Sequence, residues 1–211
     1  MYLFSRQARL GPGRIDAALT WALTVTEKVN QISEAKFSLW STVFSPGVGT
    51  LAWTTTVDTL GVLEATDAKL LADAGYISLV NEGAAFNSGA PVDDAIVRLV
   101  SADVDPDAEP AYATVVQAVL APGAGVNGIE LGVEIAQRAK AVTGCRCSFG
   151  VAGSGPYGAV AWITGYSSIE QLEQAAQVIA DDADFNKTID QKASTAYQVG
   201  SATQTIWRRL S

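Results

Sequence analysis

Two short stretches of the sequence are copies of each other. Residues 45–55 read SPGVGTLAWTT, and residues 154–164 read SGPYGAVAWIT. Each is a turn rich in Gly and Pro that leads into residues typical of a strand. Trp53 aligns with Trp162 at an offset of 109 residues. Because similarity at a fixed spacing is the signature of a repeat, we interpret the 211-residue chain as a tandem duplication.

Other pairs of segments keep nearly the same spacing. Residues 7–13 (QARLGPG) align with residues 117–123 (QAVLAPG) at an offset of 110, and residues 70–73 (LLAD) align with 178–181 (VIAD) at an offset of 108. Small insertions and deletions in loops account for the drift. The predicted organisation is a first repeat over residues 1–103, an acidic linker over 104–110 and a second repeat over 111–211.

The composition is that of a globular protein with an acidic surface. Apolar residues make up 48% of the chain and charged residues 17%, with a formal net charge of −8. Nucleic acids and anionic membranes select clustered Lys and Arg, so we expect neither as a partner. The start of the chain lacks the pattern of a secretion signal, and no run of 18 apolar residues follows, so we expect a cytoplasmic protein.

Each repeat has the same predicted order of elements. Alternating apolar residues predict strands, and apolar residues spaced by three and four predict helices. In the first repeat these segments are a strand over 2–10, a helix over 15–32, a strand over 36–44, a strand over 51–57, a helix capped by Asp58 and a strand over 95–100. A longer passage over 76–94 joins the last two. The order is β-α-β-β-α-β, twice.

This order is ferredoxin-like: a four-stranded antiparallel sheet with helices on one face. Two tandem copies can cover their bare faces by packing sheet to sheet, which predicts an α+β fold that closes as a pseudo-dimeric barrel. In this the chain resembles the dimeric α+β barrel superfamily, which includes proteins similar to antibiotic-biosynthesis monooxygenases, muconolactone isomerase, EthD and NIPSNAP. The resemblance rests on element order and duplication, without a diagnostic active-site motif.

The resemblance implies a pocket between sheet and helices, or inside the barrel, for an aromatic or polyketide-like molecule. Relatives that use haem coordinate its iron through a histidine, whereas this chain has no histidine. The same absence removes Ser-His and Cys-His nucleophiles. We therefore predict no cofactor and no metal. Cys145 and Cys147, one residue apart on a predicted strand, are interpreted as reduced structural residues.

Aromatic residues at matching positions are the first candidates for ligand contacts. Trp53 and Trp162 match, and Trp40 and Phe149 form a second pair at an offset of 109. They could stack on a planar ligand. They could equally form the core between the layers, since aromatic side chains bury large areas. We favour the core, because a duplicated scaffold needs these residues in both halves.

Arginines in the closing strands are the second candidates. Arg98 and Arg208 lie among apolar residues, where a guanidinium needs a partner or solvent. Pointing inward, they could bind a carboxylate or enolate, with Arg6 joining them, and Tyr2 or Tyr112 could contact an oxyanion. A surface or intersubunit salt bridge is the favoured alternative.

Two functions from different classes remain open. The first is a small-molecule-binding or self-assembling protein that forms a homo-oligomer, consistent with a mean hydropathy of +0.19 and the absence of a catalytic motif. The alternative is a cofactor-independent monooxygenase or isomerase acting on an aromatic, quinone-like substrate. In a third interpretation one half keeps a pocket and the other serves as scaffold. The sequence does not rank the halves.

Overall fold

The computed structural model describes residues 1–105 and 108–211, which contain eight strands and six helices. The first seven elements are β1 (Tyr2–Arg9), α1 (Ile15–Ile32), β2 (Ser38–Val43), β3 (Thr50–Val57), α2 (Leu60–Ala72), α3 (Ala74–Gly83) and β4 (Asp93–Ser101). The same order follows in β5 (Tyr112–Val119), α4 (Gly125–Thr143), β6 (Cys147–Ala152), β7 (Ala159–Tyr166), α5 (Ile169–Asp181), α6 (Ala183–Ala196) and β8 (Thr203–Arg209).

The strands are hydrogen-bonded in the order β1-β3-β2-β8-β5-β7-β6-β4, which closes an antiparallel barrel. This confirms the predicted α+β barrel fold. The structure divides into two compact units: unit 1 is Met1–Ile96 with Arg209–Ser211, and unit 2 is Val97–Arg208.

The two ends of β4 therefore belong to different units. The boundaries proposed from the sequence, residues 1–103, 104–110 and 111–211, stay a prediction. Within the proposed linker, Pro106 and Asp107 lie outside the described residues.

Unit 1 packs its helices on one face of its sheet. Strand β3 pairs with β1 on one side and with β2 on the other, both antiparallel. Leu51 and Trp53 of β3 are buried against Ala22 and Val25 of α1, in a core that also holds Leu39 of β2. The alternation along the strands and the three-to-four spacing along α1 bring these apolar residues together.

The second predicted helix of each repeat is two helices, which corrects the sequence prediction. In unit 1 the break falls at Asp73, whose extended backbone stops α2 and whose carboxylate accepts a hydrogen bond from the Tyr76 N–H. Asp182 does the same for α6, accepting from the Phe185 N–H. A capping carboxylate starts a new helix, so much of the passage predicted as irregular is helical.

These caps also correct two smaller predictions. Asp73 matches Asp182, at an offset of 109 rather than the 108 that aligned it with Asp181. The residue that precedes α2 as its cap is Thr59, without a side-chain hydrogen bond to the helix, so Asp58 is not the cap.

Unit 2 repeats the arrangement, with β7 paired between β5 and β6. Its main core surrounds Phe149 and Trp162, and a smaller one holds Cys145, Tyr166 and Ala175. Cys145 and Cys147 are both buried and free, as predicted. Burial raises the pKa of the Cys147 thiol, so this thiol is poorly reactive.

Within the described part of the chain, none of the helices combines the length and the apolar character needed to cross a bilayer.

Candidate functional site

Unit 1 contains a cavity of about 770 Å³ between its sheet and its helices. The floor comes from β1 and β3, and the walls come from α1, α2, α3 and the start of β4. Apolar and aromatic side chains dominate the lining: Phe4, Leu10, Trp21, Val25, Phe37, Trp53, Leu70, Tyr76 and Phe86 are among its members. The size and the character of the lining are those of a small-molecule site.

An aromatic cluster forms one wall. The Trp21 ring packs edge-on against Trp53, with ring centroids 5.9 Å apart, and lies 5.7 Å from Phe86. Its indole N–H donates to the Leu79 carbonyl over 2.7 Å. Gly83 lies so close to the indole that a Cβ at this position would overlap it. The wall is therefore held in place by α3.

A polar group sits in the floor beside these rings. Register places Arg6 of β1 directly opposite Trp53, and Trp53 opposite Leu39 of β2. Successive residues of a strand face opposite sides of the sheet. The side chains of Phe4, Arg6 and Ala8 therefore share one face of β1, the face that is covered by the helices. The row across the sheet thus reads Arg6, Trp53, Leu39.

Arg6 is engaged by Asp94 in a two-pronged ion pair. Its Nε and Nη2 donate to Oδ1 and Oδ2 of Asp94, each over 2.8 Å. The hydrogen bonds with Asp94 raise the pKa of Arg6, and the Asp94 and Asp67 carboxylates add electrostatic attraction. The guanidinium also lies 5.8 Å from the centre of the Phe4 ring. The cavity thus contains a hydrogen-bond donor, the Arg6 guanidinium, whose position is fixed and whose positive charge is balanced by Asp94.

Unit 2 has different side chains at the equivalent positions. Its row across the sheet reads Val116, Trp162, Phe149. The Phe149 ring is fully buried and rests on Gly132 of α4, where a Cβ would overlap it. The indole N–H of Trp162 donates to the Gly132 carbonyl over 2.8 Å. In this unit an aromatic ring occupies the space between sheet and helix.

Tyr197 adds a second ring to this packing. Its ring meets Trp162 edge-on at 5.4 Å, and its hydroxyl donates to the Gly128 carbonyl over 2.7 Å. Burial raises the pKa of this phenol. The bridge between Leu120 and Tyr197 matches the bridge between Leu10 and Asn87, so the counterpart of the buried tyrosine is an asparagine that lines the cavity of unit 1.

The register corrects one predicted pair of aromatic residues. Phe149 lies opposite Trp162, and the residue opposite Trp53 is Leu39, so Phe149 matches Leu39 and not Trp40. The offset on this strand is 110 rather than 109. Trp40 is partly buried on the other face, and its indole N–H donates to Thr54 over 2.9 Å. By the same offset, Cys147 matches Phe37.

The structure separates most of the candidates proposed from sequence. Among the described residues, Trp53 is the candidate that lines the cavity. Tyr2 and Tyr112 are partly buried at the starts of β1 and β5. Phe149 and Trp162 belong to the core of unit 2.

The predicted arginines lie elsewhere. Arg98 and Arg208 are both exposed, and neither is among the described residues that line the cavity of unit 1. Two other arginines line it: Arg6, considered above as an addition to that pair, and Arg9. The sequence signal for Arg6 is an arginine within a strand predicted from its alternating apolar residues. Trp21 and Phe86 were missed, because a tryptophan in a helical stripe is not distinguished from ordinary core.

Within residues 1–105 and 108–211, no group of three or more His, Cys, Asp or Glu side chains is placed to hold a metal ion.

Comparison with solved structures shows the same architecture. A candidate monooxygenase from Fusobacterium nucleatum superposes with a TM-score of 0.72 at 7% identity, covering 100% of this chain and 92% of that one. An anthrone oxidase-like protein gives 0.66 at 11% identity, covering 100% and 91%. A haem-binding protein from Thermus thermophilus gives 0.55 at 10% identity, covering 100% and 91%. No protein-family model and no curated protein matches the sequence.

The fold shared with these structures is the α+β barrel that the sequence predicted. At these identities the likeness establishes the fold alone.

The lining of the unit 1 cavity does not fit haem. The chain has no histidine, and the described lining holds no Cys or Met, so the Tyr76 phenol is the remaining side chain of an ordinary haem-ligating type. The lining also carries three carboxylates, Glu64, Asp67 and Asp94, which would repel the carboxylate substituents of the porphyrin. No step through haem is derived for this chain.

Proposed function

We propose that the protein binds an apolar small molecule containing aromatic rings in the cavity of unit 1. The observation that carries the proposal is the contrast between a cavity of about 770 Å³ in unit 1 and the buried Phe149 and Tyr197 rings at matching positions of unit 2. Trp21, Trp53 and Phe86 offer ring faces and edges, which favour a planar partner.

The cavity also provides a direction for the ligand. Its apolar walls bury most of a ring system, and Arg6 and Tyr76 supply donors at one side. A few polar groups in an apolar pocket fix orientation and provide specificity. The ligand class that fits is a fused-ring molecule with a hydroxyl or carbonyl group directed toward Arg6.

A second candidate function is cofactor-independent oxidation of such a molecule. It is favoured by the whole-chain likeness to a candidate monooxygenase and to an anthrone oxidase-like protein. In this function the walls would exclude water, and Arg6 would donate a hydrogen bond to an oxygen atom that gains negative charge. Self-association and a cytoplasmic location stay predictions from the sequence.

Calorimetric titration with 2-naphthol tests binding directly. At about 0.5 kcal/mol for each of its roughly eleven non-hydrogen atoms, we expect a Kd on the order of 0.1 mM. Val25→Phe, which places a ring in the cavity, should weaken binding at least tenfold. Val48→Phe makes the same change at an exposed hairpin residue and should leave the Kd unchanged. No binding by the native protein at millimolar 2-naphthol, or equal Kd values for both variants, would contradict the proposal.

Oxidation has its own test. Aerobic incubation with anthrone, followed by absorbance of the quinone product, should show turnover above the rate in buffer, and Val25→Phe should abolish it. Binding of 2-naphthol without any turnover would remove the second function and leave the first.

A further inference from the structure

The charge of Arg6 is already neutralised by the protein. Asp94 accepts two hydrogen bonds from Arg6, and the two side chains are 36% and 44% exposed. Such a fork-to-fork pair is the preferred geometry between guanidinium and carboxylate. An anionic ligand at Arg6 would either share the guanidinium with Asp94 or displace it, and in both cases two negative groups would lie side by side.

The fold does not require this pair. In unit 2 the position of Arg6 is Val116, and the strand residue directly opposite Val116 is Gln204, which matches Asp94 at the 110-residue offset. The same architecture therefore forms with an uncharged pair. A partly exposed ion pair also contributes little to stability. We therefore assign the ion pair a role in the cavity rather than in the stability of the fold.

The charged side chains that line the cavity carry more negative than positive charge. Among the described residues that line it, three carboxylates face two guanidinium groups, those of Arg6 and Arg9. Glu64 and Asp67 lie one helical turn apart on α2, so they project on the same side of the helix. The field in the cavity is thus net negative, although a guanidinium lies in its floor.

Resting on the proposed function, we infer that the cavity of unit 1 selects electrically neutral ring compounds over carboxylates, and that Asp94 sets this selectivity by holding Arg6. A neutral hydroxyl or carbonyl oxygen accepts a hydrogen bond from the outer Nη1 group of Arg6 without disturbing the pair. A ligand carboxylate at this position would lie next to the Asp94 carboxylate and be repelled by it. Asp94 is therefore a specificity-determining residue, although it is itself an anion that binds Arg6.

The test compares two probes with one ring system, 2-naphthol and 2-naphthoate, titrated into the full-length protein at pH 7. The native protein should bind 2-naphthol at least tenfold more tightly. Asp94→Asn, or Asp94→Gln with the residue type of unit 2, should raise the affinity for 2-naphthoate at least tenfold relative to the affinity of the same variant for 2-naphthol. The gain should shrink with added salt, because it comes from an exposed charge.

Two further variants separate this effect from net charge. Asp93→Asn removes the same charge one residue away, at an exposed position, and should leave both affinities unchanged. Adding Arg6→Gln to Asp94→Asn should cancel the gain for 2-naphthoate. Melting temperatures of the variants confirm that each is folded.

The outcomes distinguish the inference from the proposed function. If the native protein binds 2-naphthoate as tightly as 2-naphthol, or if Asp93→Asn acts like Asp94→Asn, the charge selectivity is wrong while the binding function stands. If neither the native protein nor Asp94→Asn binds either probe, the proposed function fails and the inference fails with it.

Discussion

The two units place different residues around the same tryptophan. The rows across their sheets read Arg6, Trp53, Leu39 in unit 1 and Val116, Trp162, Phe149 in unit 2. In unit 2 the larger aromatic residue and Gly132 fit together, whereas unit 1 has a leucine and an alanine, Ala22, at these positions. The same arrangement of strands and helices thus supports a filled layer in one unit and a cavity with a polar group in the other.

The largest effect on stability should come from removing the aromatic ring that fills the core of unit 2. Phe149→Ala removes a ring that is 0% exposed, and we expect a loss of about 3–5 kcal/mol in the free energy of unfolding, measured by urea denaturation. Phe44→Ala makes the same change at a residue that is 80% exposed and should stay within about 0.5 kcal/mol. A small effect of Phe149→Ala would mean that the ring is not tightly packed.

A double substitution can convert one row toward the other. Gly132→Ala puts a Cβ into the Phe149 ring and should cost about 1–3 kcal/mol by overpacking. Combining it with Phe149→Leu recreates the alanine and leucine of unit 1. The double variant should be more stable than the sum of the single effects by about 1 kcal/mol. Strict additivity would show that Gly132 is not coupled to the ring.

Tyr197 provides a smaller test of the same packing. Tyr197→Phe keeps the ring against Trp162 and removes the hydrogen bond to the Gly128 carbonyl. Because the hydroxyl and carbonyl are buried, we expect a loss of about 1 kcal/mol in the free energy of unfolding. Tyr157→Phe, at a fully exposed tyrosine, is the matched control and should change nothing measurable.

More of the architecture than of the candidate site could be predicted from the sequence. Matched turns and tryptophans predict a duplication, and strand alternation predicts the sheet, because both depend on patterns that can be read along the chain. The cavity depends on which matched positions differ in size, and Phe149 was paired with Trp40 because two aromatic residues align well at the wrong offset. A one-residue shift moves a side chain to the opposite face of a strand, so only the register of the strands could identify Leu39.

The charged residues show the same limit. Arg98 and Arg208 lie among apolar residues of the closing strands, yet both are exposed. Arg6 has Val116 as its counterpart, and its partner Asp94 is distant in sequence. The polar pair of the candidate site, Arg6 and Asp94, is thus found where the two units differ.

The smallest effect concerns a feature that both units share. Lys28 donates a hydrogen bond to Asp73, and Arg138 donates to Asp182, and these bonds hold the pKa of each carboxyl below its ordinary value of 3.8. A carboxyl with a lowered pKa in the folded state stabilises the protein above its unfolded pKa, and this contribution is lost as the pH falls through the folded value. Asp73→Asn and Asp182→Asn should therefore each lower stability at pH 7, with the deficit shrinking below about pH 4.

Urea unfolding between pH 2 and pH 7 measures this dependence, with Asp58→Asn at an exposed loop residue as the control. Because each carboxylate also caps a helix through the Tyr76 or Phe185 N–H, the two variants should have the same pH slope although only one lies in the unit with the cavity. Different slopes would mean that the break between paired helices is not an equivalent element in the two copies. In that case the divergence between the units would extend beyond the rows across their sheets to the helix pair that walls the cavity.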